Sequence, residues 1–316
     1  MRMVPSSARD TLPDVSVILP TFNRVVYVRE AIESVIAQTY RGWELIVADD
    51  GSGDETRAFL SQLTHERIMV VYLPHFGNPS VARNAAIRKA RGRYLAFLDS
   101  DDVWLPPKLE KQLAFMRARP DRRWSYGRPT LIDELGDPLS DDWSRKWIPH
   151  EGAILEALLS MHVAIAVPTV VTERSLVEDA GGFDEELAYR EDYDLWIRLA
   201  MLSDVSVLPE PLVRVRLSRS SHTRNRPAAE AGWIRLYEKH ARSMTDSRLR
   251  SLCVRQHAEM ALVTARAYRD EGQRVAAVRT VVAASRVSSW RPLWWLRAAR
   301  AVLGARVPVP ASIGER

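Results

Sequence analysis

The sequence predicts an α/β fold, a mostly parallel sheet with helices on both faces, followed by a helical C-terminal region. Three observations carry this prediction. Apolar runs of strand length recur through residues 15–98, each bounded by turn-forming residues. The segments between them repeat apolar residues at helical spacing, which is the pattern of βαβ units. From about Arg226 onward nearly every segment has the helical period. The expected organisation is an extension over 1–13, an α/β body over 14–224 and a basic helical region over 225–316.

The elements follow in order. VSVIL (15–19) reads as the first strand, and Val28, Ala31, Ile32, Val35 and Ile36 mark one face of the helix behind it. ELIVA (44–48) is the second strand. Ser52 and Glu55 stand at capping-box spacing and predict a helix to about Leu63. IMVVYL (68–73) is the third strand. It leads to a helix from Ser80 to about Arg91 with Val81, Ala85 and Ile87 facing inward. YLAFL (94–98) is the fourth strand, and a helix runs from about Pro107 to Arg117. WSYG (124–127) and PTVVTE (168–173) read as further strands, with a long loop over 127–150. EDYDLWIRLAML (191–202) is a helix, and VSVL (205–208) and LVRVRL (212–217) close the sheet.

Composition narrows the function. With 46% apolar and 27% charged residues the chain has the balance of an ordinary globular protein. Cys253 is the sole cysteine, which excludes an intrachain disulfide and fits a reducing compartment. Residues 1–14 hold no apolar core of signal-peptide length, and MHVAIAVPTVV (161–171) is too short to span a bilayer. The net charge of +5 is unevenly spread. Residues 225–316 hold 17 basic and 7 acidic side chains, whereas the preceding 224 residues hold 28 basic and 33 acidic. An acidic body with a basic tail results.

The acids concentrate where an open α/β sheet binds ligands, outside the carboxyl ends of its strands. Thr21, Phe22 and Asn23 follow the first strand, Asp49 and Asp50 the second, and Asp99, Ser100, Asp101 and Asp102 the fourth. Crowded carboxylates call for a counter-ion, and a divalent cation that keeps positions open for phosphate is the economical one. An acidic turn without metal is the alternative. GSGDET (51–56) lacks the third glycine of a dinucleotide loop, and no GxxxxGK[ST] occurs, which disfavours dehydrogenases and P-loop enzymes.

VSVILPTFNR, ELIVADDGSGDET, GNPSVARNAAIRKARGRYLAFLDSDD, AGGFDEEL and EDYDLWIRLA occur in this order. Together they resemble the family 2 inverting glycosyltransferases over roughly residues 14–222. The resemblance implies the A-type fold, a Rossmann-like sheet, and transfer of a sugar from a nucleotide-diphosphate donor. The acceptor it implies is a hydroxyl of a glycan or lipid-linked glycan, in cell-surface polysaccharide synthesis. A catalytically silent nucleotide-sugar or glycan-binding scaffold is the rival reading.

Carried over by position, Thr21, Asn23, Asp50, Arg83 and Ser100 would line the donor site, with Asp49 supporting its turn and Asp99 facing the ribose. Asp101, with Asp99, would hold Mg²⁺ or Mn²⁺. Asp192 would be the general base, with Glu191 beside it; their plain reading is as first-turn acids that complement a helix dipole. Asp102 reads as a helix cap or a supporting acceptor. Asp194 and Arg198 should pair along the helix, Trp196 should be core, and Gly181-Gly182 should present Phe183 and Asp184 to the acceptor. The family's Arg-x-His becomes RLS (216–218) here, leaving His222 as a candidate last metal ligand.

Between Glu271 and Glu315 there are seven arginines and no acid, and residues 289–316 mix them with tryptophan. Such a segment either lies on an anionic membrane or docks on the protein with its arginines solvated. A cytoplasmic enzyme, peripheral on the inner membrane face, is expected. No nucleic-acid motif accompanies the charge.

Overall fold

The computed structural model describes residues 12–139, 147–217, 226–288 and 292–304. Ser218, His222 and the ends of the 289–316 segment lie outside these. An eight-stranded sheet is ordered β3-β2-β1-β4-β7-β6-β8-β5. Its strands are β1 (Val15–Thr21), β2 (Trp43–Asp49), β3 (Ile68–Tyr72), β4 (Tyr94–Phe97), β5 (Val103–Trp104), β6 (Trp124–Ile132), β7 (Val171–Glu173) and β8 (Val205–Arg216). The first four are mutually parallel. β7 runs antiparallel between β4 and β6, and β5 is antiparallel to β8.

Both faces of β1, β2 and β4 are buried, so these strands are mostly apolar rather than alternating. On one face Val15, Val17 and Leu19 of β1 meet Val28, Ile32 and Val35 of α1 (Val25–Ile36) and Leu109, Leu113 and Met116 of α4 (Lys108–Arg117). On the other, Phe97 meets Trp196 of α7 (Glu191–Leu202), which stacks on Trp124.

Several expectations change in detail. The capping box gives way to Asp54, whose carboxylate accepts from the Thr56 N–H and opens α2 (Glu55–Ser61) two residues later. α3 (Pro79–Ile87) starts at Asn78 and buries Ala82, Arg83, Ala85 and Ala86, while Val81 and Ile87 are only half-buried. Small residues face β1 and β2 there because the helix packs close. The expected loop from 127 begins only after Ile132, and the two closing strands are one, β8, with the register shift against β6 near Gly127–Pro129. Residues 167–169 form a 3₁₀ turn, so β7 starts later than expected. Short helices α5 (Leu155–Leu159) and α6 (Arg174–Asp179) lie between β6 and α7.

The chain divides into two compact units, Met1–Glu186 with Glu191–Arg219, and Leu187–Arg190 with Ser220–Arg316. The second contains α8 (Arg226–Ser243), α9 (Ser247–Asp270), α10 (Arg274–Ser288) and α11 (Pro292–Leu303). Ala258, Ala261 and Ala265 of α9 face Ala277 and Ala284 of α10 and Ala298 and Ala301 of α11, a seam of methyl groups that lets the helices approach closely. Trp294 fills this core, donating its Nε1–H to the Ala258 carbonyl at 3.3 Å. Arg297 grips both oxygens of Glu259 at 2.6 and 2.5 Å. Trp294 and Arg297, within the segment expected at a membrane or in solvent, are therefore structural, because the tryptophan adds bulk to a seam made mostly of alanine.

Truncating Trp294 should consequently cost about 3–5 kcal/mol in the helical unit. Trp295→Ala, at a half-exposed position, should change stability by no more than about 0.5 kcal/mol. Urea unfolding followed by far-UV circular dichroism measures both, and equal effects would contradict this packing.

Candidate active site

The rim of the sheet is assembled from chain reversals that backbone geometry makes specific. Asn23 adopts φ +48°, Gly51 φ +76° and Gly77 φ +66°. A Cβ on Gly51 would stand 2.6 Å from the His75 nitrogen, so only glycine fits where the second turn passes the 75–77 loop. The first two turns are laced together: Asn23 N–H donates to Ser52 Oγ, Gly53 N–H to Asn23 Oδ1 and Arg24 N–H to Thr56 Oγ1, each at 2.9 Å.

Asp49 is fully buried and accepts the Ser52 N–H at 3.1 Å through Oδ1. Its Oδ2 accepts no hydrogen bond, having only the Arg57 guanidinium at 3.9 Å, and Oγ1 of Thr21, the residue opposite it in the β1–β2 register, makes none either. Two buried oxygens wanting partners on one edge suit a polar ligand. The Asp50 carboxylate, expected to line the donor site, is engaged by backbone. Its two oxygens take the N–H groups of Phe76 and Gly77, each at 2.9 Å, and His75 Nδ1 lies 3.1 Å from Oδ2. Phe22 stacks on the His75 ring at 4.0 Å.

After β4 the chain turns through Asp99-Ser100-Asp101-Asp102, closed by the Asp102 N–H to Asp99 O bond at 3.1 Å. Ser100 is buried in this turn. Three arginines from distant parts of the chain meet the acids. Arg83 of α3 donates through Nη2 to Asp99 at 2.7 Å and through Nη1 to Glu191, the first residue of α7, at 2.8 Å. Burial pulls the Arg83 pKa down, but the two carboxylates more than offset this and hold it above the ordinary arginine value. Arg24 pairs with Asp101. Burial raises the Asp101 pKa, Arg24 opposes the rise and Asp99 adds to it.

Arg216, at the end of β8, is the third. Its N–H donates to Asp102 at 2.8 Å, its Nε to the Asp101 carbonyl at 2.9 Å and its Nη1 to the carbonyls of Asp133 and Glu134. Nη2 pairs with Glu30 of α1 at 2.5 Å. Asp102 is thus no helix cap; it fastens the turn to the last strand. Its pKa is pushed well above the carboxylate range by burial, then by Asp101 and Asp99. The counter-ions of the acidic rim are arginines, and nothing local in the sequence reveals that. Arg216 stands in RLS, which lacks the family's histidine, and Arg24 stands in TFNR.

Asp192 follows Glu191 at the N-terminus of α7, half-buried, with Oδ1 accepting the Tyr193 N–H at 2.7 Å. Asp194 pairs with Arg198 at 2.6 Å, and Trp196 is core, both as expected. Gly181 and Gly182 do form a turn, at φ +84° and +73°. It does not present Phe183, which is buried edge-on against Phe97 at 5.4 Å. Asn84, unmarked in the sequence reading, holds this turn by accepting the Phe183 N–H and donating to its carbonyl at 2.9 and 2.8 Å. His75 is half-exposed and His162 exposed.

An open α/β sheet whose strand ends carry these acidic turns is the architecture of the A-type nucleotide-sugar transferases, and comparisons with known proteins agree. Residues 16–137 match Glycosyl transferase family 2. The chain is 36% identical over 227 residues to TuaG of Bacillus subtilis, a glycosyltransferase assigned to teichuronic acid biosynthesis, spanning 70% of this chain and 86% of TuaG. It is 32% identical over 214 residues to the UDP-Glc:alpha-D-GlcNAc-diphosphoundecaprenol beta-1,3-glucosyltransferase WfgD of Escherichia coli, spanning 67% and 80% of the two chains. Among solved structures, S. aureus TarS 1–349 in complex with UDP-GlcNAc matches with a TM-score of 0.66 at 19% identity, covering 92% of this chain and 88% of that one. The mannosyltransferase PcManGT from Pyrobaculum calidifontis, in complex with GDP-Man and Mn²⁺, matches with a TM-score of 0.58 at 17% identity over 94% and 89%. These structural likenesses establish the fold. The chain belongs to glycosyl transferase family 2, and it is a glycosyltransferase.

Replacing Arg216 by Met keeps the length of the side chain and strands Glu30 and three backbone carbonyls. The expected loss is on the order of 3 kcal/mol, read by urea unfolding. An unchanged midpoint would show that the arginine does not brace the turn.

Proposed function

We propose that the chain moves a sugar, with inversion, from a uridine diphosphate donor to a hydroxyl of a lipid-linked or polysaccharide acceptor. The observation that carries this reading is the Arg83 bridge, which joins the Asp99 turn to the Glu191-Asp192 pair in one site. The names of TuaG and WfgD support the acceptor class, and that of WfgD a UDP-sugar donor and a β-linked product. Thr21, Asn23, Asp49, Asp50, Arg83, Asp99 and Ser100 are assigned to the donor. The Thr21 and Asp49 oxygens that make no hydrogen bond favour a polar group there, and Phe22 and His75 add an aromatic surface beside it.

Asp99 and Asp101 are assigned to Mg²⁺ or Mn²⁺. No group of three or more candidate ligands is gathered among the described residues. Two carboxylates nevertheless fit, since such an ion takes one or two and leaves its other positions to phosphate and water. When bound, it supplies positive charge for the departing diphosphate. In the transfer itself, the acceptor oxygen forms the new bond to the sugar's anomeric carbon as the bond to the diphosphate breaks, and the leaving electron pair goes with the diphosphate. The acceptor proton passes to a carboxylate of Asp192. Glu191, held by Arg83, is assigned to positioning. Arg24 and Arg83 balance the carboxylates of the site and are assigned to meet the donor's phosphates.

Two tests follow from these assignments. Asp192→Asn should retain donor binding and lose transfer by roughly 10²–10⁴, the usual worth of a positioned base. A loss of only a few-fold would move the role to Glu191. Because arginines already balance Asp99 and Asp101, Mn²⁺ alone should bind weakly, and UDP should strengthen it by about tenfold or more, an ordinary coupling. The electron paramagnetic resonance signal of free Mn²⁺ reads this, and Asp101→Asn should abolish the coupling. Tight Mn²⁺ binding without nucleotide would contradict the arginine balance.

A further inference from the structure

Two outward helix faces in the C-terminal unit carry none of the residues assigned to the transfer. On α10, Ala277, Val281 and Ala284 point into the helical core. Val275, Val278 and Val282 lie on the other side, 66%, 46% and 49% exposed. Their spacing places them in one stripe, and Arg279 and Arg286 fall on the same exposed side. On α11, Trp294, Ala298 and Ala301 point inward, while Trp295, Leu296 and Leu303 are exposed with Arg300 among them.

Local energetics give no reason for this stripe. Valine is a poorer helix former than the charged residues that usually fill a solvated face. Apolar residues therefore line both sides of α10, one facing the core and one facing outward.

Charge decides what would cover it. Residues 272–314 hold seven arginines and no aspartate or glutamate. Arg297 is taken by Glu259, but no aspartate or glutamate lies within 272–314 to balance Arg279, Arg286 and Arg300. A second copy presenting the same face would set arginine against arginine. A nucleic acid would satisfy the arginines and leave the valines, Trp295 and the leucines in water. An anionic lipid surface offers phosphates to the first and an acyl boundary to the second.

We propose that the exposed faces of α10 and α11 dock the enzyme on anionic phospholipid. The arginines sit at headgroup level and the valines, Trp295 and leucines at the acyl boundary. The contact is peripheral, since no helix among the described residues is long and apolar enough to cross a membrane. A lipid-linked acceptor would gain from it, but the surface is read without donor or acceptor, so its test is separate from that of the transfer reaction.

The test is co-sedimentation of the full chain with phosphatidylcholine vesicles, with and without phosphatidylglycerol. Binding is expected only to the anionic vesicles and should weaken as salt rises. Val278→Glu/Val282→Glu should reduce it by about tenfold or more, since it removes apolar contact and adds repulsion. Arg279→Gln/Arg286→Gln should also reduce it and flatten its salt dependence; should the valine variant melt early, this pair carries the test. Failure of the native chain to bind at low salt would overturn the proposal, as would native-like binding by both variants. It would equally be overturned if the variants changed the oligomeric state in light scattering while vesicle binding stayed the same, which would mark a copy-to-copy interface.

Discussion

The Arg83 guanidinium, buried between Asp99 and Glu191, is the interaction on which the site depends. Two carboxylates about 4 Å apart repel by about 4 kcal/mol even at an effective dielectric constant near 20. One arginine reaching both turns that repulsion into a bridge between the end of β4 and the start of α7. The bridge spans residues far apart in the chain, so the acidic turn and the acidic helix start become one site only when α3 packs with Arg83 facing inward. Arg24 and Arg216 extend the same principle, the first to the Asp101 carboxylate and the second to the Asp102 carboxylate and the Asp101 carbonyl.

The same economy governs the turns around the rim. Beside the Gly181-Gly182 turn, Asn84 holds the Phe183 backbone and Arg198 donates through Nη1 to the Gly182 carbonyl. Asp50 spends its carboxylate on the 76–77 amides. Turns rich in positive-φ glycine are entropically expensive to order, and side chains from packed helices or neighbouring turns hold them. The reactive carboxylates are thereby carried on a framework that donates and accepts in fixed directions before any ligand arrives. That is the preorganisation on which electrostatic catalysis relies.

The helical unit follows a different rule. Its core is built from alanine, which allows close approach but supplies little apolar area, so Trp294 provides the bulk. Adjacent tryptophans in one helix have different roles for this reason: 100° of rotation turns Trp294 inward and Trp295 outward.

Periodicity and strand-end position were enough to read the parallel half of the sheet, the α7 helix, the acidic rim and the family, because these depend on local patterns and on ordered motifs. Strands β1, β2 and β4 announce themselves as short, mostly apolar runs, since burial on both faces admits only polar residues that find a partner, as Ser16 and Glu44 do. Antiparallel β7, the joining of the closing strands into β8 and the burial of Phe183 could not be read locally. Each depends on which partner a segment meets. The counter-ions were hidden for the same reason. Sequence shows that five aspartates crowd one edge and that crowding needs positive charge. Only the packing of α3, the first turn and β8 decides that arginines supply it, because a long side chain reaches its partner through space and leaves no trace in the spacing of residues.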